Sequence, residues 1–141
     1  MNKSKTILIF GAAGVFFGSV LLCRCISLDP PAQSFILTTD ILRRDFIAEC
    51  SLSATELPPT YQEIILPEDG SSEVYESYLL LQDKQRLPLS EYAGQKAVIW
   101  TYTLSDNPAY RAELICTPEG LLLGAMCYDC TRFDLMYPMI T

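Results

Sequence analysis

Histidine is absent from the chain. That absence removes the usual general base near neutral pH, the Ser-His and Cys-His nucleophile pairs, and the commonest neutral metal ligand. Positive charge is also scarce, with 10 Lys and Arg against 17 Asp and Glu, and what there is clusters at one end. Residues 1–25 hold Lys3, Lys5 and Arg24 and no acid, a charge of +3, which leaves seven cations against all 17 acids, or −10, for residues 26–141. A body that acidic is repelled by phosphate backbones and by anionic lipid surfaces, so no nucleic-acid partner is expected. No phosphate-binding loop, metalloprotease motif or nucleophile elbow occurs. No cofactor is expected, and nothing in the sequence assembles a catalytic constellation.

What the chain does have is one long uncharged run. Thr6 to Cys23 carries Ile7, Leu8, Ile9, Phe10, Val15, Phe16, Phe17, Val20, Leu21 and Leu22. As a helix rising about 1.5 Å per residue it would cover roughly 27 Å, close to the hydrocarbon thickness of a bilayer. Lysines before the run and acids after it place the N-terminus in the cytoplasm and the remainder outside. A cleaved signal wants small residues at −3 and −1, and Cys25-Ile26-Ser27 meets that poorly. Leu22 before Cys23 does not suit a lipoprotein. The reading is therefore residues 1–26 as a signal or anchor helix, with the membrane met through residues 6–23. Secretion after signal cleavage is the alternative. Residues 27–34, with Asp29-Pro30-Pro31, read as a stiff linker, and residues 35–141 as one extracytoplasmic domain.

Within that domain, Thr38 or Thr39 can cap a first helix that has Asp40 in its first turn and ends near Cys50. Ile41, Leu42, Phe46 and Ile47 would form its apolar stripe, with Arg43, Arg44 and Asp45 in water. Ser51 to Thr55 reads as a short strand before the Pro58-Pro59 break, and Glu63 to Leu66 as another stopped by Pro67. Ser71 or Ser72 caps a second helix, with Glu73 and Glu76 at its positive end, and Pro88 beyond its close. Val74, Tyr75, Tyr78, Leu79 and Leu81 would share its apolar face. Three strands follow: Lys96 to Leu104, Tyr110 to Thr117 and Leu121 to Tyr128. The second has Arg111 and Glu113 on its wet face, and Pro118 to Gly120 turns it into the third. The fold class expected is α+β: an N-terminal transmembrane or signal helix, then two helices packed on one face of a mainly antiparallel sheet ending in a three-stranded meander.

The stretch from Val74 to Tyr102, VYESYLLLQDKQRLPLSEYAGQKAVIWTY, carries a Val-Tyr-x-x-Tyr helix start, a Leu-Ser-x-Tyr-x-Gly turn and a strand ending in Thr-Tyr. In these features it resembles a family of small bacterial proteins of the Firmicutes type, domain of unknown function 4830. The resemblance spans roughly residues 38–128 and departs from the family pattern near Cys127 to Thr131. It implies a membrane-anchored or secreted bacterial protein, and it carries over no catalytic residue.

The cysteines are the remaining candidates for chemistry. Cys23 and Cys25 lie at the membrane boundary, while Cys50, Cys116, Cys127 and Cys130 lie in the domain. An even number outside the cytoplasm invites disulfides. If the turn pairs Cys116 with Leu121, Cys127 falls opposite Tyr110. The two cysteines are then about 20 Å apart along one sheet face, beyond the roughly 7 Å a disulfide spans. Cys116 and Cys127 would both point into the core, where Cys50 could reach one of them. Cys127-Tyr128-Asp129-Cys130 has redox-motif spacing, but it follows a strand rather than opening a helix, and Asp129 adds charge that opposes a thiolate. A four-cysteine zinc site is weak, because only one of its two pairs has ligand spacing. Tyr75, Tyr78, Trp100 and Tyr102 are expected in the core with a wet polar tip. The function these readings support is a non-enzymatic, membrane-tethered binding or interaction module for an unknown protein or small-molecule ligand. The alternative is an envelope thiol-disulfide oxidoreductase using Cys127 and Cys130.

Overall fold

The computed structural model describes residues 32–68 and 72–141, and the expected membrane segment lies outside them. Among the described residues no helix is long and apolar enough to cross a membrane. The elements are α1 (Asp40–Glu49), β1 (Thr60–Ile65), α2 (Glu73–Lys84), a 3-10 turn (Leu89–Tyr92), β2 (Lys96–Thr103), β3 (Tyr110–Cys116), β4 (Leu122–Asp129) and β5 (Arg132–Pro138). The strands form one antiparallel sheet in the order β1-β2-β3-β4-β5. The fold is α+β, with the two helices and the antiparallel sheet that the sequence indicates. Both helix starts follow from their caps. Thr39 Oγ1 accepts the Leu42 N–H at 3.2 Å, and Ser72 Oγ accepts the Tyr75 N–H at 3.2 Å.

The helices do not share a face. Tyr102 lies directly across from Ala112 and Glu113 from Thr101, so Tyr102 and Glu113 point to opposite sides of the sheet. α1 meets the first side, where Phe46 and Ile47 join Tyr102, Leu104, Ala112, Leu114, Ala125 and Cys127. α2 meets the second, where Tyr78 donates to Glu113 and packs with Leu66, Leu89, Ala97, Ile115, Leu123 and Met126. The reason is in the central strands. Leu114-Ile115-Cys116 and Leu121 to Met126 carry no alternating polar residue, so both faces are apolar and both need cover.

α1 departs from its expected stripe. Ile41 is 71% exposed and Leu42 40%, whereas Arg43 is buried. Its guanidinium lies 3.7 Å from the Trp100 ring centroid, Nε donates to the Tyr102 hydroxyl at 2.9 Å, and a terminal nitrogen donates to the Leu37 carbonyl at 3.1 Å. The Tyr102 hydroxyl in turn donates a hydrogen bond to the Asp40 carboxylate at 2.7 Å. A guanidinium with two hydrogen-bond acceptors and a ring beneath it tolerates burial that a lone cation would not. On α2 the inward residues are Tyr78 and Gln82, while Val74 stays exposed.

Three further differences concern strands. Ser51 to Thr55 forms no strand, only the single bridge Ala54–Leu104. β5 was not anticipated; it pairs with β4 through the Cys130-Thr131 turn, where Asp129 accepts from the Thr131 backbone and hydroxyl at 2.8 and 2.6 Å. The β3–β4 register also slips. Cys116 pairs with Leu122 and Ile115 with Gly124, so Leu123 is an extra residue and Cys127 lies opposite Ala112 rather than Tyr110. The bulge sends Leu122 into the α1-side core and Leu123 into the α2-side core, so both are fully buried. Gly120, at φ +95°, closes the turn where an added Cβ would sit 2.9 Å from the Thr38 Cα.

Glu113 is expected on a wet face and instead lies under α2, facing Tyr78 there and the side of Arg111 and Tyr128 on its own sheet. Burial raises its pKa above 4.5, and the Tyr78 hydrogen bond only partly offsets this. The folded state therefore binds this proton more tightly than the unfolded chain. The stability it contributes is complete below about 4.5 and is lost as pH rises through the folded pKa. Urea midpoints measured from pH 7 downward are expected to rise more steeply in wild type than in Glu113→Gln, which keeps an acceptor for Tyr78. Parallel curves would contradict this.

Candidate functional site

On the α1 side, the helix covers the Tyr102–Leu114 part of the sheet and leaves the hairpin end open. A cleft of about 810 Å³ results. Cys127 and Leu104 form its floor, Tyr110 and Tyr137 one wall, Phe46 and Cys50 from α1 the other, and Met139 and Ile140 its lip. Phe35 packs edge-on against Phe46 with centroids 5.0 Å apart, and the Tyr110 and Tyr137 rings lie 6.1 Å apart. The lip is held from the far side of the chain. Gln85, buried just past α2, accepts from the Met139 and Ile140 N–H groups at 2.7 and 2.9 Å and donates to the Ala125 carbonyl at 2.8 Å. Gln82 accepts from the Ala125 N–H at 2.8 Å. Two glutamines thus extend the edge of β4 beyond the last residue of β5.

The cleft has one electrostatic sign. Its lining includes Glu49 and Asp106 and neither lysine nor arginine. α1 ends there, with Cys50 as its C-cap, so the negative end of the helix dipole adds to the two carboxylates. The Cys50 thiol registers this field. Burial first, then the Glu49 charge, pushes its pKa up to about 11. Tyr110 is raised mainly by the neighbouring Tyr137 hydroxyl. Burial and the Tyr137 hydrogen bond would disfavour charge of either sign, so what favours a cation here is the Glu49 and Asp106 carboxylates with the helix C-terminus.

The four candidate cysteines do not cluster: two share the cleft and two lie apart. Cys50 and Cys127 line the cleft, Cys116 is buried at the other end of the same sheet face, and Cys130 occupies the β4–β5 turn. All four are free thiols. Cys116 and Cys127 are four positions apart along the sheet rather than six, about 13 Å, still beyond disulfide reach. Cys127 and Cys130 run from a strand end into a hairpin turn, with no helix N-terminus to stabilise a thiolate, and burial raises Cys127. Burial also pushes Cys116 up to about 11, despite Arg43 nearby. Among the described residues no three His, Cys, Asp or Glu side chains are placed to hold a metal, so the cysteines do not form the four-ligand zinc set. At pH 8 a pKa near 11 leaves about a hundredth of the thiolate present at the ordinary value. Cys50 and Cys116 are expected to alkylate about a hundredfold slower in native protein than in urea, as mass-spectrometric thiol mapping would show.

Sequence reasoning found Cys50 and Cys127 but not the site they belong to. It missed Tyr110, Tyr137, Glu49 and Asp106, which come from α1, the β2–β3 connection with the start of β3, and β5. The one available signal was the aromatic pattern Phe133-x-x-x-Tyr137 after the turn, which indicates a further strand. No protein-family model matches the chain, and comparisons with curated proteins and with solved structures give no match.

Proposed function

We propose that the domain is a binding module whose cleft takes a small organic cation with an apolar or aromatic body. The observation that carries this is the lining: aromatic and aliphatic walls, two carboxylates, a helix C-terminus, and no cationic side chain. Cations are stabilised over aromatic rings and near carboxylates, and a mostly apolar concavity with few polar groups is the usual form of a ligand site. No histidine is present, and the cleft thiols have raised pKa values, so binding is favoured over turnover. The module is tethered through residues 6–23 with its N-terminus in the cytoplasm, a reading supported by the uncharged run behind Lys3 and Lys5. Finding the native protein released into the medium without residues 1–26 would replace the tether with secretion.

The binding claim is tested with benzyltrimethylammonium titrated into the full chain in nanodiscs. Glu49→Gln combined with Asp106→Asn is expected to weaken binding about five- to tenfold, as two partly exposed charge contacts contribute. Unchanged affinity in the double variant would contradict the proposed role of these carboxylates.

A further inference from the structure

We propose that the outer edge of β1 is a second binding site, one that takes an extended peptide strand with a basic residue flanked by apolar ones. β1 is paired on one side only, with β2, and among the described residues no strand pairs with its other side. In an antiparallel ladder alternate residues point their N–H and C=O groups away from the partner, so about half of the six residues Thr60–Ile65 present free donors and acceptors.

Natural edges are blunted by proline, by charged side chains and lysine above all, by a bulge or by a covering segment, and of these β1 carries one charge, Glu63. β1 reads Thr-Tyr-Gln-Glu-Ile-Ile, with no proline or lysine, and its register with β2 is continuous from Thr60–Thr101 to Ile65–Lys96. It is also apolar where it meets solvent: Tyr61 is 64% and Ile65 69% exposed. These two side chains and Glu63 point to the α1 side of the sheet, because they lie across from Trp100, Lys96 and Val98 respectively. The row offered to an incoming strand is therefore apolar, acidic, apolar. Tyr61 is backed by the Trp100 ring, with centroids 5.4 Å apart, which stiffens the apolar end. On the opposite face Thr60, Gln62 and Ile64 ask for small or polar neighbours.

The occupant follows from charge. Lys96 lies on the β2 side of the row, so a strand added on the other side meets Glu63 without it. A second copy of the chain paired about Glu63 would set Glu63 against itself, and two domains of −10 repel each other. A lysine or arginine across from Glu63, with aliphatic residues across from Tyr61 and Ile65, satisfies the row. The backbone ladder supplies affinity and these three positions supply selectivity.

The test uses the full chain in nanodiscs and the capped heptapeptide threonine-valine-threonine-lysine-threonine-valine-threonine. Its binding is expected to protect the outward β1 amides from hydrogen exchange. N-methylation of alternate peptide amides on the docking edge should abolish it. Replacing the peptide's lysine by glutamate should weaken it about five- to tenfold, and Glu63→Lys, a change at an exposed position, should reverse that preference. Several results would overturn the proposal: binding indifferent to N-methylation, shifts at Cys127 and Tyr137 instead of β1, or β1 amides already protected without peptide. The last, if it depends on protein concentration, would identify a second copy as the occupant.

Discussion

Gln85→Met is expected to destabilise the domain by about 3 kcal/mol while barely changing side-chain volume. Gln85 gives a donor to the Ala125 carbonyl and an acceptor to the Met139 and Ile140 N–H groups, and it is 3% exposed. Methionine fills the same space and offers neither, so three backbone groups lose their partners. Each costs about 1–3 kcal/mol if it stays buried. The tail can partly escape that cost by fraying into water, which sets the figure near the low end of the sum. Fraying has a functional consequence, because Met139 and Ile140 form the lip of the cleft. Chemical denaturation should report the lost stability. Faster hydrogen exchange at Met139 and Ile140, together with weaker cation binding, should report the released lip. A full-sized stability loss with an undisturbed lip would mean that Gln85 supports β4 alone.

Arg43→Ala is the second large effect, with an expected loss of about 3–4 kcal/mol. The substitution removes the cation over Trp100, worth up to about 2 kcal/mol where desolvated. It also leaves the Leu37 carbonyl without its donor and the Tyr102 hydroxyl without one of its two partners. At roughly 4–8 °C per kcal/mol for a domain near this size, the melting temperature should fall by about 12–30 °C. Arg43→Lys should recover only part of the loss, since an ammonium cannot reach both acceptors while lying flat on the ring. The same network fixes Tyr102. Burial first, then the bond to Asp40, pushes its pKa up to about 12, although Arg43 pulls the other way. An Arg43→Ala protein with near-normal stability would show that the buried guanidinium is tolerated rather than required.

Both residues mark where the sequence stops being legible. Thr39 and Ser72 announce their helices because a cap is a local event, a side-chain oxygen meeting an N–H three residues on. β2 alternates, and turn residues bound β3 and β4, so these three strands are placed within a residue or two. Arg43 and Gln85 were not legible, because their partners lie 59 and 40 or more positions away. A charged residue on an amphipathic helix reads as solvent-facing until a tyrosine and a tryptophan are known to lie beneath it. The second covered sheet face was present in the pattern, although the expectation put both helices on one face; the unbroken apolar runs of β3 and β4 are the signature of strands covered on both sides. Cys127 sits two positions from its expected place opposite β3, one because the turn pairs Cys116 with Leu122 rather than Leu121 and one because of the Leu123 bulge, which no turn rule for Thr117 to Gly120 could supply. The cleft depends on all of these together, on the short span of α1, the unanticipated β5 and the glutamine-held lip.

Selection of an apolar cation is the role proposed for the cleft between α1 and the β4–β5 hairpin. Its most direct test is an isotope-edited NMR titration of the full chain in nanodiscs with three ligands that share a benzyl group: benzyltrimethylammonium, its neutral carbon isostere and a benzyl carboxylate. The expected result is saturable shifts at Cys127, Tyr110 and Tyr137 with the cation, at least about tenfold weaker binding of the neutral compound, and none of the anion. Equal affinity for all three, or shifts confined to other surfaces, would contradict the claim.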